Sequence, residues 1–187
     1  SHVLDMLNAK YFIYNQKMPP VRNFTACGNA WFVKDYEIVE NANEELSKID
    51  DVDPHKKVLV DDRFEKQLKD FSPNYDSTGN IDLTSYAPEV MKYRSSAKSD
   101  QLAVFSEVYY PHGWNVYVDG EKQSHFRVNY VLRAMIVPEG EHKIVFRFEP
   151  QVVKTGKTFS YAGTAIFFLL LLGGLFFEYR KRKTLKE

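Results

Sequence analysis

Cysteine is almost absent from this sequence, because Cys27 is the only one among 187 residues. A disulfide within the chain is therefore excluded. A domain without disulfides depends on the packing of its hydrophobic core for stability. The aromatic content of 15% supplies the large side chains that dominate such cores.

Net charge is also absent, since 25 lysines and arginines balance 25 aspartates and glutamates. The balance is uneven along the chain. Residues 1–157 hold 20 basic and 23 acidic residues, whereas residues 158–187 hold 5 and 2. The larger part is therefore mildly acidic. Domains that bind nucleic acid carry a basic face, so this composition argues against nucleic acid as a partner.

Signatures of catalysis and of metal binding are missing as well. The histidines have no paired spacing of the kind that zinc sites use; they are His2, His55, His112, His125 and His142. The acidic stretch DDVDPH lacks the glycine and the final glutamate of an EF-hand loop. Neither a GxSxG motif nor a phosphate-binding P-loop is present. The sequence thus predicts no catalytic residue, no metal site and no cofactor.

One long apolar run lies near the C-terminus. No charged residue occurs from Thr158 to Phe177, and about twenty helical residues rise roughly 30 Å, the thickness of the hydrocarbon core of a bilayer. The stretch from Ile166 to Leu172 is apolar on every face, which is unlike the amphipathic surface helix of a soluble protein. We therefore predict a transmembrane helix at residues 158–178.

Basic residues flank this run unequally. Lys154 and Lys157 precede it, and five basic residues follow it, namely Arg180, Lys181, Arg182, Lys183 and Lys186. The cytoplasmic flank of a membrane helix carries the excess of lysine and arginine. The sequence therefore predicts a basic cytoplasmic tail at residues 179–187 and an extracytoplasmic location for residues 1–157.

The extracytoplasmic part has two regions with different patterns. Residues 1–71 combine short apolar runs, NAWFVKDYEIV and KKVLVDD, with helical signals such as the capping stretch NANEE, and they predict a small α/β lobe. Residues 72–150 begin with the turn-rich SPNYDSTGN and continue as short strand-like runs. We expect an antiparallel, jelly-roll-like β-sandwich there, followed by a linker at residues 151–157. The predicted fold class is α+β, mainly β, with one C-terminal transmembrane helix.

Turn chemistry and alternation give two finer expectations for the sandwich. Asp119-Gly120 suits a type I′ hairpin turn, whose two central residues need positive φ. The run RVNYVLRAMIV is predicted as one strand. Its expected faces are Val128, Tyr130, Leu132, Ala134 and Ile136 on one side, and Arg127, Asn129, Val131 and Arg133 on the other.

The stretch SEVYYPHGWNVYVDGE, at residues 106–121, is the richest candidate for a binding site. Aromatic rings stack on the apolar faces of sugars, while Asp, Asn and Arg side chains bind hydroxyl groups. The candidate glycan-binding residues are Tyr110, Trp114, Tyr117, Asp119, Arg127, Asn129 and Arg133. In the alternative interpretation, Trp114 and Tyr117 close the end of the sandwich core, and the two arginines pair with surface acids.

Several of these motifs resemble a known family. FSEVYYPHGWNVYVDGE, FRVNYVLRAMIVPEGEHKIVFRFEP and the single span after them resemble the C-terminal end of YfhO-type bacterial membrane proteins. LNAKYFIY and GNAWFV resemble earlier extracytoplasmic stretches of that family, so the resemblance covers nearly the whole chain. It implies a polytopic protein of the bacterial plasma membrane, related to the GT-C glycosyltransferases that use lipid-linked sugars. The family's acidic catalytic centre is expected among N-terminal helices, which implies that this chain is the tail of a larger protein.

Two functions are consistent with these observations. In the first, the chain is the extracytoplasmic accessory domain and last membrane helix of a GT-C-like glycosyltransferase that acts on cell-surface polymers. It then has no catalytic residues of its own, and its partners are the bilayer, the other helices of the parent protein, and a lipid-linked sugar or surface glycan. In the second, it is a non-enzymatic, membrane-anchored surface module that binds a glycan or a partner protein. Apolar spans encoded upstream of Ser1 favour the first function, and a lone signal peptide favours the second.

The orientation of the span can be tested with reporters fused after Glu187. We expect a reporter that works only in the cytoplasm to be active, because the basic residues lie on that side of the apolar run. An export-dependent reporter at the same position should be inactive. Activity of the export-dependent fusion would reverse the predicted orientation.

Overall fold

The computed structural model describes the backbone of residues 1–184 and the side chains of residues 1–153 and 155–176. The chain divides into two units, Ser1–Phe148 and a second unit that begins at Glu149. Strands hold 39% of the residues and helices hold 25%. The prediction of a mainly β fold with antiparallel sheets and one C-terminal apolar helix is therefore confirmed.

Thirteen strands and two α-helices form the first unit within the described residues. The helices are α1 (His2–Met6) and α2 (Ala42–Lys48), and a 3-10 helix covers Asp62–Gln67. The strands are β1 (Tyr11–Phe12), β2 (Val21–Arg22), β3 (Ala30–Val33), β4 (Asp35–Val39), β5 (Lys57–Asp61), β6 (Asn80–Ala87), β7 (Val90–Ala97), β8 (Gln101–Val108), β9 (Trp114–Val118), β10 (Glu121–Gln123), β11 (Phe126–Val128), β12 (Leu132–Val137) and β13 (Gly140–Phe148). The second unit contains helix α3 (Gln151–Thr184).

Two antiparallel sheets form the sandwich. The five-stranded sheet has the order β10-β9-β13-β7-β6, and the four-stranded sheet has the order β11-β12-β8-β3. Their facing side chains pack into one hydrophobic cluster around the edge-to-face rings of Tyr93, Phe105 and Phe146, whose centroids lie 4.9–6.1 Å apart. Because β3 pairs with β8, the segment predicted as a separate lobe supplies one strand of the sandwich.

The four-stranded sheet is buried on its other face as well. The parallel strands β4 and β5, which α2 connects, contribute to a second hydrophobic cluster that includes Val58, Val60, Val104 and Leu132. Strands β8 and β12 accordingly have buried residues at consecutive positions, whereas a sheet with one wet face alternates. The unit thus has three layers: the five-stranded sheet, the four-stranded sheet, and the α/β layer of β4, α2 and β5.

A buried ion cluster joins the α/β layer to the four-stranded sheet. Glu45 and Asp61 are each 0% exposed, and Nη2 of Arg127 donates to both carboxylates at 2.7 and 3.1 Å. Arg63 adds two hydrogen bonds to Asp61 at 2.7 Å. Burial raises the pKa of Glu45, although the N–H of Tyr130 and the charge of Arg127 oppose that shift. The hydrogen bonds from Arg63 lower the pKa of Asp61 to about 2.

The run that was predicted as one strand, RVNYVLRAMIV, is instead a hairpin. Strand β11 ends at Val128, Asn129 and Tyr130 have φ angles of 47° and 69°, and β12 begins at Leu132. The Asn129 side chain accepts a hydrogen bond from the N–H of Leu59, and its own N–H donates to the Leu59 carbonyl, both at 2.9 Å. Asn enters the left-handed region more readily than most residues, and these bonds hold it there. The predicted alternation through this run is therefore wrong.

The predicted turn at Asp119-Gly120 is confirmed. Both residues have positive φ, 51° and 95°, and β9 pairs with β10 on either side of them, with Val118 opposite Glu121. A carboxylate oxygen of Asp119 accepts a hydrogen bond from the N–H of Lys143 at 2.9 Å. The turn is therefore tied to the neighbouring strand β13.

Helix α3 includes the predicted span. Gln151–Phe176 is long and apolar enough to cross a membrane, and its apolar window is not buried in the protein. The helix begins at Gln151, so residues 151–157, which the sequence suggested as a linker, are helical. The side chains of the predicted tail, residues 179–187, lie outside the described ones. An apolar helix of this length with no protein cover fits the hydrocarbon core of a bilayer.

Replacing Arg127 with methionine tests the ion cluster. The variant leaves two buried carboxylates without their shared cation, so we expect the free energy of unfolding of residues 1–150 to fall by about 3–5 kcal/mol near pH 7. The loss should shrink near pH 5, because an unpaired buried carboxylate has a raised pKa and the folded state then binds a proton more tightly than the unfolded state. Urea unfolding at both pH values measures the effect.

The matched control for this experiment is Lys143→Met. It removes a cation from an exposed position, so its unfolding free energy should stay within about 0.5 kcal/mol of the parent. If Arg127→Met and Lys143→Met are equally stable, the ion cluster does not hold the layers together.

Candidate functional site

The structure distributes the seven predicted glycan-binding residues over four places. They are Tyr110 in the loop between β8 and β9, Trp114 with Arg133 at one end of the sandwich core, Arg127 with Asn129 at the joint between the layers, and Tyr117 with Asp119 on the solvent side of the five-stranded sheet. No single surface gathers all seven.

Trp114 packs against a buried cation. The Arg133 guanidinium lies 4.3 Å from the centroid of the Trp114 ring and 5.4 Å from that of Phe146, and the Phe148 ring is 5.4 Å from Trp114. Arg133 is 3% exposed, and its Nε donates to the Val108 carbonyl at 2.8 Å. Burial lowers the pKa of Arg133. The Trp114 ring is therefore half-buried and already stacked, which leaves less of it for a sugar.

The two adjacent tyrosines of the loop differ in exposure. Tyr109 is partly buried and makes edge-to-face contacts with Phe64 at 5.7 Å and with His125 at 5.4 Å. Tyr110 is 49% exposed, and its ring contacts that of His112 at 5.6 Å. Of the predicted aromatic residues, Tyr110 is thus exposed, while Trp114 and Tyr117 are half-buried.

Two further predicted residues form contacts between the layers. Arg127 is bound to two buried carboxylates, and Asn129 is 3% exposed with its side chain on the backbone of β5. Removing either from these partners would leave buried polar groups unsatisfied, which is costly. The polar groups of Arg127 and Asn129 therefore hold the layers together and are already bonded within the protein.

The outer face is the side of the five-stranded sheet that points away from the sandwich core. Successive side chains of a strand alternate between faces, so every second residue lines it. Its charged residues are Asp82, Lys92, Arg94, Asp119, Glu141, Lys143 and Arg147, and Tyr117 and Val145 lie among them. Two open grooves of ≈ 610 and ≈ 560 Å³ lie on this face and share Asp119 and Lys143.

Strand register brings charged residues into one row across the outer face. Lys143 lies opposite Arg94, which in turn lies opposite Asp82. Asp119 extends the row, since its carboxylate bonds to the N–H of Lys143. Among the residues that the structure describes, no ion pair within 4.0 Å involves the side chain of Lys92, Arg94 or Lys143. These three cations are available to an anionic ligand.

Tyr117 lies on the same face as these cations, on the neighbouring strand β9. Its ring centroid is 5.8 Å from the guanidinium of Arg147. Val145 separates Tyr117 from Lys92, because it pairs with both across the sheet. An aromatic ring offers a stacking surface for a sugar, and neighbouring cations offer charge-assisted hydrogen bonds to a phosphate or carboxylate. The outer face thus combines the two kinds of contact that an anionic glycan uses.

The Asp119 carboxylate lines both grooves, and its charge is paired with a histidine. Its Oδ2 lies 2.6 Å from Nδ1 of His142. This contact raises the pKa of His142 and lowers the pKa of Asp119. The pair therefore stabilises the fold between about pH 4 and 6.5, and the contribution is lost as the pH rises through the raised histidine pKa or falls through the lowered aspartate pKa. Within the described residues, no group of three His, Cys, Asp or Glu side chains could hold a metal ion.

Sequence reasoning missed the basic residues of this surface. Lys92 and Arg94 are two apart in KYR, and Lys143 and Arg147 are four apart in KIVFR, so each pair lies on one face of its strand. That spacing could have identified both basic pairs from the sequence. What could not be read from the sequence is that β7 and β13 are neighbours, which brings the two pairs together.

A protein-family model matches the part of the chain that forms this surface. The model of the family described as Bacterial membrane protein YfhO matches residues 67–160, half of the chain. The chain belongs to the YfhO family. The YfhO match includes strands β6 to β13, all seven predicted residues and the first turns of α3, and the protein is accordingly a membrane protein. No curated protein and no solved structure matches the chain.

Alanine substitutions of two aromatic residues distinguish packing from exposure. Trp114→Ala removes a half-buried ring that stacks on Arg133 and contacts Phe148, so we expect the free energy of unfolding to fall by about 2 kcal/mol, roughly half the cost of a fully buried tryptophan. Tyr110→Ala removes an exposed ring and should change stability by less than about 0.5 kcal/mol. Thermal unfolding of residues 1–150 measures both. Equal melting temperatures for the two variants would contradict the placement of Trp114.

Proposed function

We propose that this chain is the extracytoplasmic accessory domain and last membrane helix of a polytopic, GT-C-like glycosyltransferase-type protein that glycosylates cell-surface polymers. In this proposal the outer face holds an anionic glycan, either a lipid-linked sugar donor or a polymer acceptor, and catalysis belongs to another part of the protein. The observation that carries the proposal is the set of unpaired cations on the same face as Tyr117, on a member of a membrane-protein family.

The chemistry of the outer face favours an anionic sugar over a neutral one. Lys92, Arg94 and Lys143 are close together although residues 1–157 as a whole are mildly acidic. Arginine binds phosphate or carboxylate oxygens with two parallel hydrogen bonds, and lysine adds a point charge. Asn80, Thr84 and Ser96 line the same groove, and their side chains can bind sugar hydroxyl groups.

The proposed orientation places the outer face on the side of the membrane where surface polymers lie. It is supported by the five basic residues that follow the span, against two in residues 151–157. The alternative function, a non-enzymatic surface module that binds a glycan or a partner protein, uses the same outer face. It differs in what precedes Ser1, so the upstream reading frame distinguishes the two.

Removing two cations tests the proposed function. Arg94→Gln with Lys143→Gln should weaken the binding of the full chain, reconstituted in bilayers, to an isoprenyl-phosphate sugar in the same bilayer about tenfold, because two charge-assisted contacts are lost. In cells, the same pair of changes in the full-length protein should lower glycosylation of the surface polymer. Titration calorimetry and analysis of the extracted polymer measure these effects.

The control removes the same charge from another part of the surface. Lys66→Gln with Lys69→Gln changes two exposed lysines outside the five-stranded sheet and should leave binding and glycosylation unchanged. If both double variants bind and glycosylate as the parent does, the outer face is not the glycan-binding surface.

A further inference from the structure

The hairpin of β1 and β2 exposes a large apolar surface. We define the N-terminal hairpin as residues 10–24, KYFIYNQKMPPVRNF. Its large hydrophobic side chains at 52–84% exposure are Tyr11, Ile13, Tyr14, Met18, Val21 and Phe24. Single exposed hydrophobic residues are ordinary, but a cluster of six in fifteen residues is typical of a surface that contacts a protein or a membrane.

The base of the N-terminal hairpin is anchored in the protein. The Asn23 side chain donates to the Asp5 carboxylate at 2.8 Å and to the Ala9 carbonyl at 2.9 Å, and its backbone N–H donates to the Lys10 carbonyl at 2.8 Å. The hydroxyl of Thr25 bonds to the same carboxylate at 2.8 Å. Because Asp5 is 8% exposed, the apolar side chains extend from a fixed, buried base.

The charges of the N-terminal hairpin all have one sign. Lys10, Lys17 and Arg22 are basic, and no acidic residue occurs between Asp5 and Asp35. The rest of the first unit is acidic, so this segment differs in charge as well as in exposed apolar area. Aromatic side chains interleaved with lysine and arginine are typical of segments that bind the interface of anionic membranes.

Pairing with the strand of another protein chain does not account for this surface. Strands β1 and β2 have two residues each, so either edge offers few hydrogen bonds. Pro19 and Pro20 precede β2 and have no N–H to donate. An isolated two-stranded sheet is marginal in water, and an apolar surface that covers its side chains would stabilise it.

We propose that the N-terminal hairpin docks into the interface of an anionic phospholipid bilayer, the membrane that also holds α3. Tyr14 and Phe24, at 80% and 84% exposure, would enter the headgroup region, and the three basic side chains would meet lipid phosphates. Nine residues, 149–157, separate Phe148 from the charge-free run. This covalent link gives the hairpin a high effective concentration at that bilayer.

Fluorescence quenching in reconstituted bilayers tests the docking. The full chain carries an environment-sensitive fluorophore at Tyr14→Cys, in bilayers with or without phosphatidylglycerol that contain nitroxide-labelled lipids. We expect lipid quenching and protection from iodide, both stronger with phosphatidylglycerol. The native Cys27 is 8% exposed and burial raises the pKa of its thiol to about 12, so it should react much more slowly than an exposed cysteine at position 14.

Two further variants control this experiment. Tyr75→Cys places the label at another exposed tyrosine, 38% exposed before β6 and towards the end of the sheet opposite Phe148, and should remain open to iodide. Lys10→Gln, Lys17→Gln and Arg22→Gln together keep every apolar side chain. Each basic side chain near an anionic surface contributes about fivefold to partitioning, so the triple variant should lose its dependence on phosphatidylglycerol.

Two results would overturn the proposal. The first is a label at position 14 that is as accessible to iodide as the label at position 75. The second is protection that follows the protein-to-lipid ratio instead of the phosphatidylglycerol content, which would assign the hairpin to a second copy of the chain. The proposal is independent of the outer face, so it and the glycan-binding function can fail separately.

Discussion

The first unit depends on Arg127, because the carboxylates of Glu45 and Asp61 are buried on either side of it. An unpaired buried carboxylate costs several kcal/mol, and a shared cation with good geometry offsets that cost. Both faces of the four-stranded sheet are apolar, so each must be covered by another layer. The ion cluster links this sheet to one of the two layers that cover it. The α/β layer covers one face and the five-stranded sheet covers the other. The side of the five-stranded sheet that remains in solvent is therefore the outer face, and its polarity follows from that position.

Much of the fold could be predicted from local patterns, and the errors lie where distant partners decide the outcome. The Asp119-Gly120 turn was predictable because glycine and aspartate tolerate positive φ and strand-like residues flank them. The break at Asn129 was not, because apolar residues continue at every second position through it. Its left-handed conformation is held by hydrogen bonds to Leu59, seventy residues earlier in the chain. Likewise, no local pattern indicates that Ala30–Val33 pairs with β8 in the sandwich.

The candidate site was predictable to a similar degree. Aromatic density and turn chemistry led to Tyr117 and Asp119, which the structure places on the outer face. The same reasoning included Arg133, because a sequence does not show that a guanidinium is sandwiched between Trp114 and Phe146. It left out Arg94 and Lys143, whose proximity depends on strand order. The residue types suited to a binding site could therefore be identified from the sequence, whereas the strand register that brings them together could not.

Membrane anchoring explains how an open, shallow surface can serve the proposed function. A contact between exposed charges is worth about 0–1 kcal/mol, so Lys92, Arg94 and Lys143 on a freely diffusing domain would hold an anionic sugar weakly. Anchoring by helix α3 raises the effective affinity, because a lipid-linked sugar is confined to the same bilayer and each encounter resembles an intramolecular one. Effective concentrations then reach about the millimolar range, where weak contacts suffice. A deep, tight pocket would retain the sugar, and an accessory domain that delivers a substrate to a catalytic centre elsewhere must also release it.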